Sequence, residues 1–167
     1  VEGAGFRFGH QRTGSIQTLQ SLGQQYQFEC VEVAGVEISL DGSTNMKKAS
    51  SSLVRSLIKE GRVQEVAKVL GRYYELSGIV TKGDCRGREL GVPTANLGKV
   101  DTMLPRDGIY AGTANVDGTL FIAAISVGTK PTFGSHDRVC EAHLIGFDGE
   151  IGQYDWPLTV TLSHWIR

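Results

Sequence analysis

Three cysteines in 167 residues, Cys30, Cys85 and Cys140, are too few and too scattered for a disulfide framework. None forms a Cys-x-x-Cys pair, so a zinc site is not signalled, and a reducing cytoplasm suits the sequence best. An excess of one charge is also missing. Seventeen Lys and Arg against eighteen Asp and Glu leave a net charge of −1. That gives no basic field for nucleic acid and no polybasic face for a membrane. No apolar run has the length of a membrane-spanning helix, and no signal peptide is visible. The first residue is Val1 rather than methionine, which points to a piece of a longer protein. The 40% hydrophobic and 21% charged content that is present describes a globular chain of one medium domain or two small ones.

Glycine is plentiful, and it is most suggestively spaced between Gly83 and Leu97, in GDCRGRELGVPTANL. Gly83, Gly87 and Gly91 recur every four residues with Arg86 and Arg88 between them. Backbone N–H groups in such a loop can approach an anion with no Cβ in the way. Thr94 and Asn96 follow two apart, so in an extended chain they point the same way. A hydroxyl and an amide oxygen converging beside a phosphate loop suit Mg²⁺, which takes few protein ligands and shares phosphate oxygens with its substrate. For the glycines alone, a plain surface turn is an equally good account.

From Tyr74 onward the chain reads as short strands joined by tight turns. Strands are expected over Glu75–Lys82, Gly108–Val116, Thr119–Val127, Val139–Phe147 and Leu158–Leu162. Asp117-Gly118 marks a hairpin, and Lys130–Gly134 a further turn. With no long helix between them, these strands imply an antiparallel barrel or sandwich. Alternation puts Val139, Glu141 and His143 on one face and Cys140, Ala142 and Leu144 on the other. A carboxylate at Glu141 fits either a solvated face or a functional site. The lone Gly128-Thr129-Lys130 lacks the order and spacing of a Walker loop.

Residues 1–73 have a different texture. Phe6 and Phe8 alternate around Arg7; Ile16, Leu19 and Leu22 have helical spacing before Gly23; and Tyr26–Val36 looks strand-like, with Val31 and Val33 on one face. A helix is expected from the serines at 50–52, with Leu53, Leu57 and Ile58 as its apolar stripe. A second follows, with Val63, Val66, Ala67 and Leu70 on one side and Gly71 as its stop.

GRELGVPTAN resembles the nucleotide loop of riboflavin kinases, and the resemblance extends over nearly the whole chain. The chain is similar to the bacterial bifunctional riboflavin kinase/FMN adenylyltransferases, or FAD synthetases. The resemblance implies an α/β remnant over 1–73, the C-terminal part of an adenylyltransferase-like domain, and a six-stranded antiparallel Greek-key barrel over 74–167. It implies ATP and riboflavin as substrates, FMN as product, Mg²⁺ with the ATP, and no nucleic-acid or membrane partner. Gly83, Gly87 and Arg88 would hold the ATP phosphates, and Thr94 and Asn96 the metal. Glu141 would be the general base facing the ribityl hydroxyl, with His143 a structural neighbour. SSSLVR matches the family's Ser-Ser-x-x-Ile-Arg element near the ATP phosphates of the adenylyl-transfer site, which makes Ser51, Ser52 and Arg55 candidates. Several features depart from the family. Gly5 stands where it has an acidic residue in GxDFxFG, so that carboxylate's role is not carried over. His10, His136, His143 and His164 form no His-x-x-His pair, so adenylyl transfer is not expected of this chain alone. The family also continues past Ile166-Arg167 into a helix over the flavin, so an open-sided flavin pocket is expected here. A non-catalytic barrel that binds flavin or nucleotide is the competing class.

Overall fold

The structure is a computed structural model that describes residues 1–40, 42, 44–83, 94–129, 138–148 and 154–167. It resolves into two compact units, Val1–Ala49 and Ser50–Arg167.

The first unit is built from short pieces. Strand β1 (Glu2–Gly3) pairs in parallel with β4 (Glu32–Val33), β2 (Arg7–Phe8) with β3 (Gly14–Ser15), and β5 (Glu37–Ser39) with β6 (Met46–Lys48). Its one described α-helix, α1 (Ile16–Tyr26), opens with a capping box. Thr18 N donates to Ser15 Oγ at 3.4 Å and Ser15 N to Thr18 Oγ1 at 3.1 Å. The helix runs past Gly23, where the sequence predicted its end. Gly23 serves a close approach instead: a Cβ there would meet the carbonyl oxygen of Phe28 at 2.5 Å. The strand expected over Tyr26–Val36 is confined to Glu32–Val33, because Tyr26 closes α1 and Val31, Val33 and Val36 are exposed. With no apolar face to bury, the alternation there has nothing to hold it in a longer ladder.

The second unit starts with two helices, α2 (Ser51–Lys59) and α3 (Val63–Leu70). Leu57, Ile58, Val63 and Val66 are buried as their spacing predicts, and Gly71 closes α3 at φ +70°. Leu70 departs from the expected stripe and is exposed. Val63 shares one core with the strands that follow. The compact unit therefore takes in both helices as well as the strands.

Those strands form a closed antiparallel barrel: β7 (Tyr74–Thr81), β8 (Ala95–Gly98), β9 (Gly108–Val116), β10 (Thr119–Thr129), β11 (Arg138–Leu144) and β12 (Pro157–Trp165). Their order around the barrel is β10, β11, β8, β7, β12, β9, which closes through the β9–β10 hairpin. The hairpin turns at Asp117 (φ +47°) and Gly118 (φ +87°), the paired left-handed geometry that Asp-Gly favours. Gly118 N also donates to Asn115 Oδ1 at 2.9 Å. Inward positions carry Leu76, Val80, Leu97, Tyr110, Ile125, Val127, Leu158, Val160 and Leu162, all buried. Burying one such side chain fully is worth roughly 1.5–3 kcal/mol, so this filled interior dominates the unit's stability. Strand β11 ends at Leu144, three residues short of expectation, and β12 runs on to Trp165. The Lys130–Gly134 turn lies outside the described residues.

Candidate active site

Strand register decides which polar side chains meet. Thr81 of β7 pairs with Asn96 of β8, Asn96 with Glu141 of β11, and Glu141 with Ser126 of β10. Cross-strand partners project from the same side of a sheet. Two hydroxyls, a carboxamide and a carboxylate therefore share one rung on the outer surface. The next rung, Val80, Leu97, Cys140 and Val127, points inward and is buried. The alternation read from the sequence of β11 holds throughout: Cys140, Ala142 and Leu144 are buried, while Val139, Glu141 and His143 are half-buried on the outer side.

Thr94, immediately before β8, donates its hydroxyl to Glu141 Oε2 at 3.4 Å. Gly83, just past the end of β7, completes the cluster, since a Cβ there would overlap the Asn96 carboxamide. A side chain at 83 would have to displace the Asn96 carboxamide, which lies against the chain leaving β7. Four of the residues singled out in the sequence, Gly83, Thr94, Asn96 and Glu141, thus come together from three separate stretches. Gly87 and Arg88 lie outside the described residues.

A cavity of about 230 Å³ adjoins this rung, lined in part by Thr81, Lys82, Asn96, Lys99, Arg138 and Cys140. Lys82 and Lys99 suit a negatively charged occupant, while the Arg138 charge is paired with Asp107. The sequence reading passed over all three, although each lies within three residues of Gly83, Asn96 or Glu141. Hydroxyl, carboxamide and carboxylate oxygens are hard donors, and they fit a Mg²⁺ ion that shares its remaining positions with phosphate. Among the described residues no three His, Cys, Asp or Glu side chains cluster as a metal cage, so a metal here would need a substrate's oxygens too. The Cys140 thiol beside Glu141 is pushed up to about 12, first by burial and then by the negative charge of Glu141. It stays protonated at neutral pH and is no nucleophile.

Ser51, Ser52 and Arg55 occupy the first turns of α2, and all three are exposed. Capping falls to Ser50, whose hydroxyl accepts from Leu53 N at 3.2 Å. Arg55 donates to Ser52 Oγ at 3.4 Å, one helical turn away. His143 is outward-facing on β11 and pairs with Ala124 of β10.

The family described as flavokinase, riboflavin kinase, matches residues 70–167, the last strands of the barrel included. The chain belongs to the riboflavin kinase family. Among its relatives, a bifunctional riboflavin kinase/FMN adenylyltransferase of Buchnera aphidicola is 32% identical over the whole chain and 52% of its own length. The Escherichia coli K12 protein of the same description is 30% identical over 99% of the chain and 50% of its own length. That of Bacillus subtilis is 38% identical over 63% of the chain and 34% of its own length. The chain spans about half the length of the full-cover relatives. A solved Streptococcus pneumoniae structure described as a macrolide-efflux protein superposes with a TM-score of 0.80 at 30% identity, over 99% of this chain and 51% of that one. No helix among the described residues is long and apolar enough to cross a membrane. The six-stranded barrel expected from the sequence is thus the fold observed, and it is the family's.

Proposed function

We propose that the barrel is an ATP:riboflavin 5′-phosphotransferase that makes FMN. The observation that carries this reading is the meeting of Thr94, Asn96 and Glu141 across the β8–β11 seam, next to a cavity lined by cations. In the reaction, the 5′-hydroxyl oxygen of riboflavin forms a bond to the γ-phosphorus as the bond to the bridging oxygen breaks, and ADP leaves. Glu141 aligns that hydroxyl and takes its proton on a carboxylate oxygen. The glycine-rich segment beginning at Gly83, with Gly87 and Arg88, holds the phosphates. Thr94 and Asn96 would hold Mg²⁺, which neutralises phosphate charge when bound. Phosphoryl transfer asks little covalent work of the protein, so positioning and charge neutralisation carry most of the rate.

Residues 1–73 are proposed as the C-terminal part of an adenylyltransferase-like domain, with Ser51, Ser52 and Arg55 near its phosphates. Conversion of FMN to FAD is proposed for the longer relatives, and a reducing cytoplasm as the setting. With no His-x-x-His pair in the sequence, this chain given FMN and ATP should release no FAD. The deciding assay incubates the protein with riboflavin, Mg²⁺ and ATP and separates the flavins by chromatography. FMN and ADP should appear in equal amounts. Riboflavin binding without FMN would leave a non-catalytic flavin-binding barrel.

A further inference from the structure

Four consecutive carbonyl oxygens in the segment between β8 and β9 are taken by side chains from three different strands. Tyr74 of β7 donates to Met103 O at 2.9 Å. Arg138, the first residue of β11, donates to Leu104 O at 3.3 Å and also to Pro105 O. Tyr110 of β9 donates to Arg106 O at 2.5 Å. Arg138 closes the arrangement through Asp107, whose Oδ1 accepts from its Nε at 2.8 Å and from a terminal nitrogen at 2.5 Å.

We propose that Arg138 is a positioning residue for phosphoryl transfer: it ties the start of β11 to the chain leaving β8 and so holds Glu141 in register opposite Asn96. The proposal rests on the kinase reading for its kinetic consequence, but its structural part stands apart from it.

The seam between β8 and β11 is short. Among the described residues Cys140–Leu97, Glu141–Asn96 and Ala142–Ala95 pair across it, whereas β11 and β10 share seven registered pairs. A slip of β8 by one residue at this seam would turn Asn96 inward and Leu97 outward, while β11 stays held by its pairs with β10. The tie from Arg138 to Leu104, Pro105 and Asp107 is the additional restraint, because that segment follows directly from β8. Parity explains why an arginine stands there. Position 138 shares the inward face with Cys140 and Ala142, but it lies at the end of the strand, where its guanidinium can turn to the carbonyls at the barrel's mouth. The planar fork serves several acceptors at once, which an ammonium group cannot reproduce. The Arg138 and Asp107 side chains are 37% and 53% exposed, so their ion pair adds little to global stability. What it can change is placement, and a misplacement of about 1 Å can cost on the order of 10²-fold in rate.

The test compares Arg138→Met and Arg138→Lys with Tyr74→Phe in the full chain. Tyr74→Phe removes another tie to the same segment without touching β11. Arg138→Met should lower kcat for FMN formation by roughly 10- to 100-fold, with the KM values for riboflavin and ATP within about threefold of the parent. Arg138→Lys, which keeps the charge, should recover little of that loss. Tyr74→Phe should lower Tm yet leave kcat within about twofold. Amide exchange at Asn96 and Glu141 gives a readout independent of activity: it should quicken by about tenfold in both Arg138 variants and not in Tyr74→Phe. A kcat within twofold of the parent in Arg138→Met would overturn the proposal, as would a KM for ATP rising in step with the loss, which would make Arg138 a nucleotide ligand. If the parent makes no FMN, the kinase reading fails, and the exchange rates alone decide: equal rates in parent and Arg138→Lys would overturn the tie.

Discussion

Two clusters of candidate residues in this chain are held together in opposite ways. Ser51, Ser52 and Arg55 lie within five residues on the exposed face of one helix, and the contact between Arg55 and Ser52 is one that helix geometry supplies without help. Thr94, Asn96 and Glu141 come from opposite sides of a long stretch of chain, and only the register of β8 against β11 brings them together. A local cluster needs no tertiary structure, so its presence says little about use. A cluster assembled by register depends on the whole barrel, and the residues in it answer to one another.

The sharpest way to break that contrast is Asn96→Leu. It should nearly abolish FMN formation and weaken MgADP binding, with riboflavin binding changed less. Isothermal titration with MgADP measures this, and unchanged affinity would remove Asn96 from the site. Glu141→Gln should come next, keeping size and hydrogen bonding but losing proton acceptance. A general base contributes on the order of 10²–10⁴-fold, so kcat should fall toward the lower end of that range while the KM for ATP holds. Steady-state kinetics on a variant with the parent's Tm checks it.

A third comparison moves one residue along β11, from the outer face to the inner. The folded Cys140 thiol is raised from its ordinary 9 to about 12, and Tyr110 from 10 to about 12, in each case chiefly by burial. The unfolded chain therefore gives up these protons first. Stability due to them is full below about pH 9 and is lost as pH rises toward 12. Cys140→Ala should flatten the alkaline slope of ΔG against pH in urea titrations, while leaving the Tyr110 share. The smallest effect belongs to the helix: Arg55→Ala should leave FMN formation within about twofold of the parent, read by the same flavin chromatography. A large loss there would place α2 in the kinase site after all.

How much of this was legible in the sequence depended on how local its cause was. The Asp117-Gly118 hairpin, the parity of β11 and the apolar stripe of α2 are written in neighbouring residues, and they appear as expected. Gly23 was misread because a glycine that admits Phe28 looks the same in sequence as one that ends a helix. Strand β8 is only four residues long, too short for a periodic signal, yet it carries Asn96. The spacing of Thr94 and Asn96 singled out that stretch, and the family resemblance singled out Glu141, but the register that sets Asn96 opposite Glu141 is not written in neighbouring residues. The role of Lys82, Lys99 and Arg138 as walls of one cavity was not legible either, because it exists only once β7, β8 and β11 lie side by side.

The split between the two faces of the barrel wall has a consequence for how such a protein can change. Side chains that fill the interior and those that would meet a substrate alternate along most of the same strands, and the two sets overlap chiefly where Leu97 and Cys140 also line the cavity. Repacking inside, at Ala123, Ala142 or Val160, could proceed without direct contact with the reacting groups. Exchange of Thr81, Ser126 or Val139 on the outer side could alter what is bound without opening a void. A strand wall one residue thick thus lets stability and selectivity be inherited as nearly separate traits.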